Sequence, residues 1–197
     1  MEKIYISSDI RGLIFDCDGT LVDSMPLHMS AWEAAFKTHN SYYNEDFLYS
    51  LKGMKELDII DLYNKEFKTS LDPGLMVNAK HDFFIKHIND VRPIKLIVNI
   101  AKSYFGKLPL AVVSGSVAKI VKSELEVLGI LNLFEVILTA DDPYRPKPDP
   151  DVFFAAASKI NLSPEYCMVF EDGDAGLKAA EKAGMKTIDI RKFITNV

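Results

Sequence analysis

The sequence predicts an α/β protein: a layered core around a mainly parallel sheet, with an all-helical segment inserted after the first core strand. Two observations predict the core. Short apolar runs rich in β-branched residues occur once near the start and repeatedly in the second half of the chain, the pattern of strands covered on both faces. Stretches of helical period separate the later runs, and strands alternating with helices imply parallel pairing. A third observation predicts the insert: from about Ser24 to Asp90 the pattern is helical almost throughout, and no strand run occurs.

Taken in order, the first strand is Gly12-Leu13-Ile14-Phe15-Asp16. The insert follows, with helical patterns over Met25–Lys37, Asn44–Leu51, Glu56–Lys68 and Pro73–Ile88. Trp32 and Phe83-Phe84 read as its packing residues. Proline in Val91-Arg92-Pro93 would interrupt a helix, so the insert is expected to cover residues 24–90 and the core 1–23 and 91–197. Leu110-Ala111-Val112-Val113-Ser114 is the next strand. Val117, Ile120, Val121, Leu125 and Leu128 then form a helical stripe that Gly129 stops. Phe134 to Thr139 is a strand, Asp151 to Ile160 a helix preceded by prolines, and Cys167 to Glu171 a strand. Ala175 to Ala183 is a helix closed by Gly184, and Lys186 to Ile190 the last strand.

Bulk properties narrow the function. The 197 residues are 48% hydrophobic and 26% charged, ordinary globular composition that builds a core without staples. A net charge of -5 argues against a nucleic-acid partner. Cys17 and Cys167 lie in or beside apolar runs and imply no disulfide framework. No apolar run reaches the roughly 18 residues needed to span a bilayer, so no membrane partner is expected. Met1-Glu2-Lys3-Ile4-Tyr5 lacks a signal-peptide pattern. The cytoplasm is the default compartment and a monomer the default state.

The informative feature is where the acids fall. Asp16 and Asp18 flank Cys17 just past the first strand, followed by Gly19 and Thr20. Ser114-Gly115-Ser116 closes a later strand. Lys147 sits in Arg145-Pro146-Lys147-Pro148-Asp149-Pro150, and Glu171-Asp172-Gly173-Asp174 closes another strand. Ligands of open α/β sheets bind at the carboxyl ends of the strands, so these distant groups are expected to converge. Gathered carboxylates repel unless a cation intervenes, and oxygen ligands favour a hard ion such as Mg²⁺. Lys147 would offset charge that remains, and Ser114 with the N–H groups after it could hold phosphate oxygens at a helix start.

Asp16-Cys17-Asp18-Gly19-Thr20-Leu21-Val22-Asp23-Ser24 resembles the first motif of the haloacid dehalogenase-like phosphatases. Ser114, Lys147-Pro148 and Glu171-Asp172 are similar to the second, third and fourth motifs, in the same order. The likeness covers about residues 10–30 and 108–190. It is nearest to the β-phosphoglucomutase-like branch, and Phe170 to Arg191 is similar to the bacterial fructose-1-phosphate phosphatases. The resemblance implies a Rossmann-like three-layer core with a small α-helical cap domain. It also implies a Mg²⁺-dependent phosphatase that hydrolyses a small phosphorylated metabolite, such as a sugar phosphate, through an aspartyl-phosphate intermediate. In that reading Asp16 is the nucleophile, and Asp18 is the acid and base that meets the metal through its backbone carbonyl. Ser114, Gly115 and Lys147 bind phosphate, and Asp16, Asp18, Glu171 and Asp172 form the metal site. His28, Lys52-Gly53 and Lys55 of the cap approach the substrate.

Departures from the branch bear on the reaction. Lys55 stands where the mutase has an arginine, and lysine lacks the bidentate fork. Thr20 stands where mutases commonly have valine. Both favour hydrolysis over the alternative, a β-phosphoglucomutase-type phosphosugar mutase; a non-catalytic binding protein on the same scaffold is the third reading. Gly173 replaces a serine found in many relatives. Taken singly, each motif has a plainer meaning: Asp and Gly form turns, Ser114-Gly115-Ser116 can cap a helix, Lys147 can be a solvated loop residue, and Asp174 can cap the next helix. His39, His81 and His87 lack metal-ligand spacing and read as surface or interface residues.

Overall fold

The computed structural model describes residues 4–52 and 54–194. Expectations that rest on Met1–Lys3, read for a targeting signal, and on Gly53 fall outside the described residues. In chain order the elements are β1 (Gly12–Phe15), β2 (Val22–Asp23), α1 (Met25–Thr38), α2 (Glu45–Ser50), α3 (Glu56–Phe67), α4 (Pro73–Lys86), β3 (Arg92–Pro93), α5 (Lys95–Tyr104), β4 (Leu110–Val113), α6 (Ala118–Val127), β5 (Val136–Leu138), α7 (Asp151–Lys159), β6 (Cys167–Glu171), α8 (Asp174–Lys182) and β7 (Lys186–Asp189). They divide into two compact units, Met1–Asp23 with Arg92–Val197, and Ser24–Val91.

The first unit is built on a parallel sheet in the order β5-β4-β1-β6-β7. From β1 the strands run outward to β4 and β5, then resume on the other side with β6 and β7. The crevice where the order reverses lies beside β1, at the carboxyl ends of β1, β4 and β6. Alternate residues face opposite sides. Ile14, Ala111, Val113 and Val169 join Phe153, Ala156 and Ala157 of α7 and Ala179 and Ala180 of α8 in one buried cluster. Phe15 and Phe170 are stacked with centroids 4.8 Å apart, across the pairing that sets them side by side. Gly129 and Gly184 follow α6 and α8 at φ of 65° and 76°, the left-handed stops expected of glycine there.

Two features were not legible in the sequence. β2 and β3 form a two-residue antiparallel ladder, Val22 opposite Pro93 and Asp23 opposite Arg92. A ladder that short leaves no period to read. Helix α5 buries Ile97, Val98 and Ala101 at helical spacing, but its β-branched Ile97-Val98 and Ile100 argue for strand as much as for helix.

The second unit is helical. Its core gathers Trp32, Ala35 and Phe36 of α1, Leu48 of α2, Ile59, Ile60 and Tyr63 of α3, and Met76 of α4. Phe36 and Tyr63 rings meet at 4.5 Å, and the Tyr63 hydroxyl donates to Tyr42 O at 2.6 Å, so the buried phenol is not left unpaired. Asp72 caps α4 by accepting from Leu75 N at 2.8 Å. His39 and His87 follow α1 and α4 and place Nδ1 2.9 Å from Ala35 O and Phe83 O, closing helix ends.

His81, expected at the surface or at an interface, keeps only 17% of its side chain exposed. With Lys80, it pairs with Glu56 at the start of α3, its Nε2 2.5 Å from Glu56 Oε2. Lys80 is 2% exposed, and its ammonium lies 5.1 Å from the Trp32 ring centre. Burial would push the Glu56 carboxyl up, but the charge of Lys80 and the bond to His81 outweigh it and bring the value down to about 2. A carboxyl held below its unfolded value stabilises the fold above about pH 4.5, and that contribution is lost as pH falls toward 2. Glu56→Gln strands a buried ammonium, so it is expected to cost about 3 kcal/mol at pH 7. Denaturant titration at pH 7 and pH 3 checks this: the gap between parent and variant shrinks at the lower pH.

Candidate active site

The strand ends assemble the site. Asp16 follows β1, and its N–H donates to Phe170 O at 3.0 Å, prolonging the pairing with β6 by one residue. Glu171 is the last residue of β6. Its Oε2 accepts from Asp172 N at 2.8 Å and Gly173 N at 2.9 Å, so the turn that follows the strand is tied to its own carboxylate. Lys147 reaches in from the proline-rich loop. Its ammonium donates to Asp16 Oδ1 at 2.7 Å, Glu171 Oε1 at 2.8 Å and Val113 O at 3.1 Å, joining the ends of β1, β6 and β4. It is not the solvated loop lysine of the plainer reading.

Carboxylate oxygens of Asp16, Glu171 and Asp172 lie within 4.8 Å of one another. Burial and the charges of Glu171 and Asp172 push the Asp16 carboxyl well up, against the pull of Lys147. Burial alone would lower the Lys147 ammonium, but Asp16 and Glu171 raise it. One ammonium among three carboxylates leaves negative charge in a buried place, the electrostatic demand that a divalent cation meets.

Two small residues permit this crowding. Gly19 has φ of 81°, and a Cβ there would come within 2.5 Å of Asp172 Oδ2. A Cβ on Gly176, in the first turn of α8, would overlap Glu171 Oε1 outright. The buried Thr20 hydroxyl donates to Asp172 Oδ1 at 3.1 Å. Gly176 was not singled out from sequence, because a glycine in a helix carries no sign of what lies against it.

Asp18 stands apart from the three clustered carboxylates. Its Oδ2 accepts from Ser116 Oγ at 2.7 Å and from Ser114 Oγ at 3.4 Å. The Asp18 carboxylate is therefore directed to the turn after β4. Ser114 Oγ also accepts from Ser116 N at 3.0 Å, and Ala118 N donates to Asp141 Oδ2 at 2.8 Å. Those two N–H groups at the start of α6 are already engaged, which narrows the anion cradle expected there. Cys17 turns away and places its thiol 3.5 Å from Glu124 Oε2. Burial and Glu124 push that thiol well up, so it stays protonated.

Glu124 is fully buried on α6, another residue the sequence reading passed over. The signal was there: it falls four residues after Ile120 and four before Leu128, on the apolar stripe. Asp174 was expected as a cap, but Gly173 occupies that position, and Asp174 instead accepts from Arg191 Nη2 at 2.8 Å. In the helical unit, His28 is buried with its ring 4.4 Å from that of Phe84. Lys52 and Lys55 are exposed, Lys52 over the Tyr49 ring at 5.3 Å.

Comparison with known proteins bears on this arrangement. Residues 13–190 match the family model of the haloacid dehalogenase-like hydrolases. The chain is 34% identical over 181 residues to the fructose-1-phosphate phosphatase YqaB of Escherichia coli, covering 91% of this chain and 96% of that one. It is 31% identical over 177 residues to the validoxylamine A 7'-phosphate phosphatase of Streptomyces hygroscopicus, covering 87% and 81%. The crystal structure of β-phosphoglucomutase from Clostridium difficile superposes with a TM-score of 0.74 at 28% identity, covering 90% and 83%. The chain belongs to the haloacid dehalogenase-like hydrolase family, as a phosphoric monoester hydrolase with relatives in the β-phosphoglucomutase-like branch.

Proposed function

We propose that this phosphatase is Mg²⁺-dependent and hydrolyses a small phosphorylated sugar through an aspartyl-phosphate on Asp16. The observation that carries the reading is the buried Lys147 ammonium shared between Asp16 and Glu171, with Asp172 close by. The relatives named for fructose 1-phosphate and validoxylamine A 7'-phosphate support a carbohydrate-like leaving group.

Asp16, Glu171 and Asp172 would hold the ion with the backbone carbonyl of Asp18, and the tight oxygen cluster fits Mg²⁺. When bound, Mg²⁺ would neutralise the carboxylates and polarise the phosphoryl oxygens. Lys147 keeps Asp16 Oδ1 fixed and leaves Oδ2 to attack phosphorus in line. Lys147 and the Gly115 turn bind the transferring oxygens. Asp18, hydrogen-bonded by the Ser116 and Ser114 hydroxyls, donates a proton to the leaving alkoxide. It then takes one from the water that cleaves the intermediate. Thr20 orients Asp172, a task for its hydroxyl that the valine of mutases could not perform.

We assign residues 24–90 to substrate selection, with His28, Lys52 and Lys55 as the residues that meet the part of the substrate beyond the phosphate. Among the described residues no helix is long and apolar enough to cross a membrane, and both thiols are buried and free. These features suit a cytoplasmic enzyme acting on a diffusible metabolite.

Asp16→Asn is expected to reduce phosphate release from a panel of sugar phosphates by at least about 10³-fold. Parental turnover in that variant removes the nucleophile assignment. Glucose 1-phosphate converted to glucose 6-phosphate without phosphate release would establish the mutase instead. Mg²⁺ with beryllium fluoride, at about 100 times its dissociation constant, should stabilise the parent by roughly 2.7 kcal/mol. Because ligand carboxylates must be ionised and burial with acidic neighbours makes Asp16 resist ionisation, the melting shift should grow as pH rises; an equal shift in Asp16→Ala contradicts the site. Gly176→Ala should stabilise an ordinary helix by about 1 kcal/mol. Here the new methyl displaces Glu171, and kcat is expected to fall by roughly 10-fold or more.

A further inference from the structure

The loop that carries Lys147 is closed by a single guanidinium. Arg145 Nε and Nη2 donate to Asp151 Oδ2 and Oδ1 at 2.5 and 2.7 Å, and Nη1 lies 2.8 Å from Asp149 Oδ2. Asp151 is the first residue of α7, and its N–H donates to Asp149 Oδ1 at 3.1 Å. Two residues along the same helix, the buried Phe153 sets its ring 5.5 Å from the Lys147 ammonium. From the far side, Lys182 of α8 donates to Pro148 O at 3.1 Å. The segment from Arg145 to Asp151 is thus a ring of chain, anchored on α7, with Lys147 projecting from it to Asp16, Glu171 and Val113.

The prolines of the loop do not make this clamp redundant. Proline fixes its own φ and biases the residue before it, but it does not tie the Arg145 end of the loop back to α7, which the other end joins through Pro150. The fork does, and only arginine can supply it: a planar guanidinium meets both Asp151 oxygens and Asp149 together, whereas an ammonium is a single point charge. Overall stability does not account for the fork, because the Arg145 side chain is 68% exposed, and ion pairs that open to water contribute little to folding. Geometry at the site does, since a misplacement of about 1 Å can cost about 100-fold in rate.

We propose that Arg145 is a positioning residue for Lys147, locking the loop onto the start of α7 so that the ammonium stays aligned with Asp16 and Glu171. The inference rests on the role proposed for Lys147 in phosphoryl transfer. It adds a residue outside the four motifs whose guanidinium meets Asp149 and Asp151 rather than the clustered carboxylates.

The test uses Arg145→Ala, Arg145→Lys and, as a reference, Lys147→Ala, assayed with a sugar phosphate and with inorganic phosphate as inhibitor. Both Arg145 variants should melt within a few degrees of the parent yet lose about 10-fold in kcat. Phosphate should inhibit them correspondingly less, with KM for the sugar phosphate changed by less than the inhibition constant. Guanidinium at tens of millimolar should restore part of the activity of Arg145→Ala and none of that of Lys147→Ala. Parental kcat in Arg145→Ala overturns the proposal. So does a loss that only follows a lower melting temperature and that guanidinium leaves unrepaired. If Lys147→Ala itself keeps parental turnover, the underlying reading fails instead, whatever the Arg145 variants do.

Discussion

The site depends on one buried ammonium. Lys147 donates to Asp16, Glu171 and the carbonyl of Val113, so it ties together three strand ends that are neighbours only because the sheet runs β4-β1-β6. A buried lysine without partners would shed its proton. This one is raised instead, because two carboxylates face it. The register of the parallel strands and the chemistry of the rim therefore constrain each other. A slip in either pairing would leave one of these charges buried without its partner, a cost of several kcal/mol.

The same arrangement is unbalanced in charge. Three carboxylates crowd together, two of them on Lys147, with glycines at 19 and 176 making room for Asp172 and Glu171. The protein spends local stability on this crowding: Asp16 is held away from its preferred ionisation by burial and by its acidic neighbours. Carboxylates crowded and shifted in this way are the pattern expected of a functional centre rather than of a turn or a cap. The plainer interpretations of each motif, as turn or cap, leave it without a cause.

The helical unit shows a different use of charge. Glu56, Lys80 and His81 satisfy one another beside Trp32. The group joins the start of α3 to the middle of α4 in a unit whose remaining contacts are mostly apolar and aromatic. A buried ion pair of this kind contributes little net stability relative to an apolar replacement, but it penalises any packing that separates the partners. It thereby fixes where α3 begins, one residue after Lys55.

Much of this was legible in the amino-acid order. Covered strands announce themselves as apolar runs, and the placing of Asp16, Asp18, Ser114, Glu171 and Asp172 at or just past their ends, with Lys147 in the proline-rich loop, pointed to the family and to the rim at which they meet, because parallel strands present their carboxyl ends on one side. Local pattern also marked the helices and their glycine stops. What it could not determine was which atoms share the centre. That Asp18 turns to Ser116 while Asp16 meets Lys147, that Glu124 lies buried beneath Cys17, that Gly176 is empty to admit Glu171, and that Lys80 is neutralised by Glu56 all follow from distances between residues far apart in the chain. Those distances are set by sheet order and helix packing, which only the folded chain possesses.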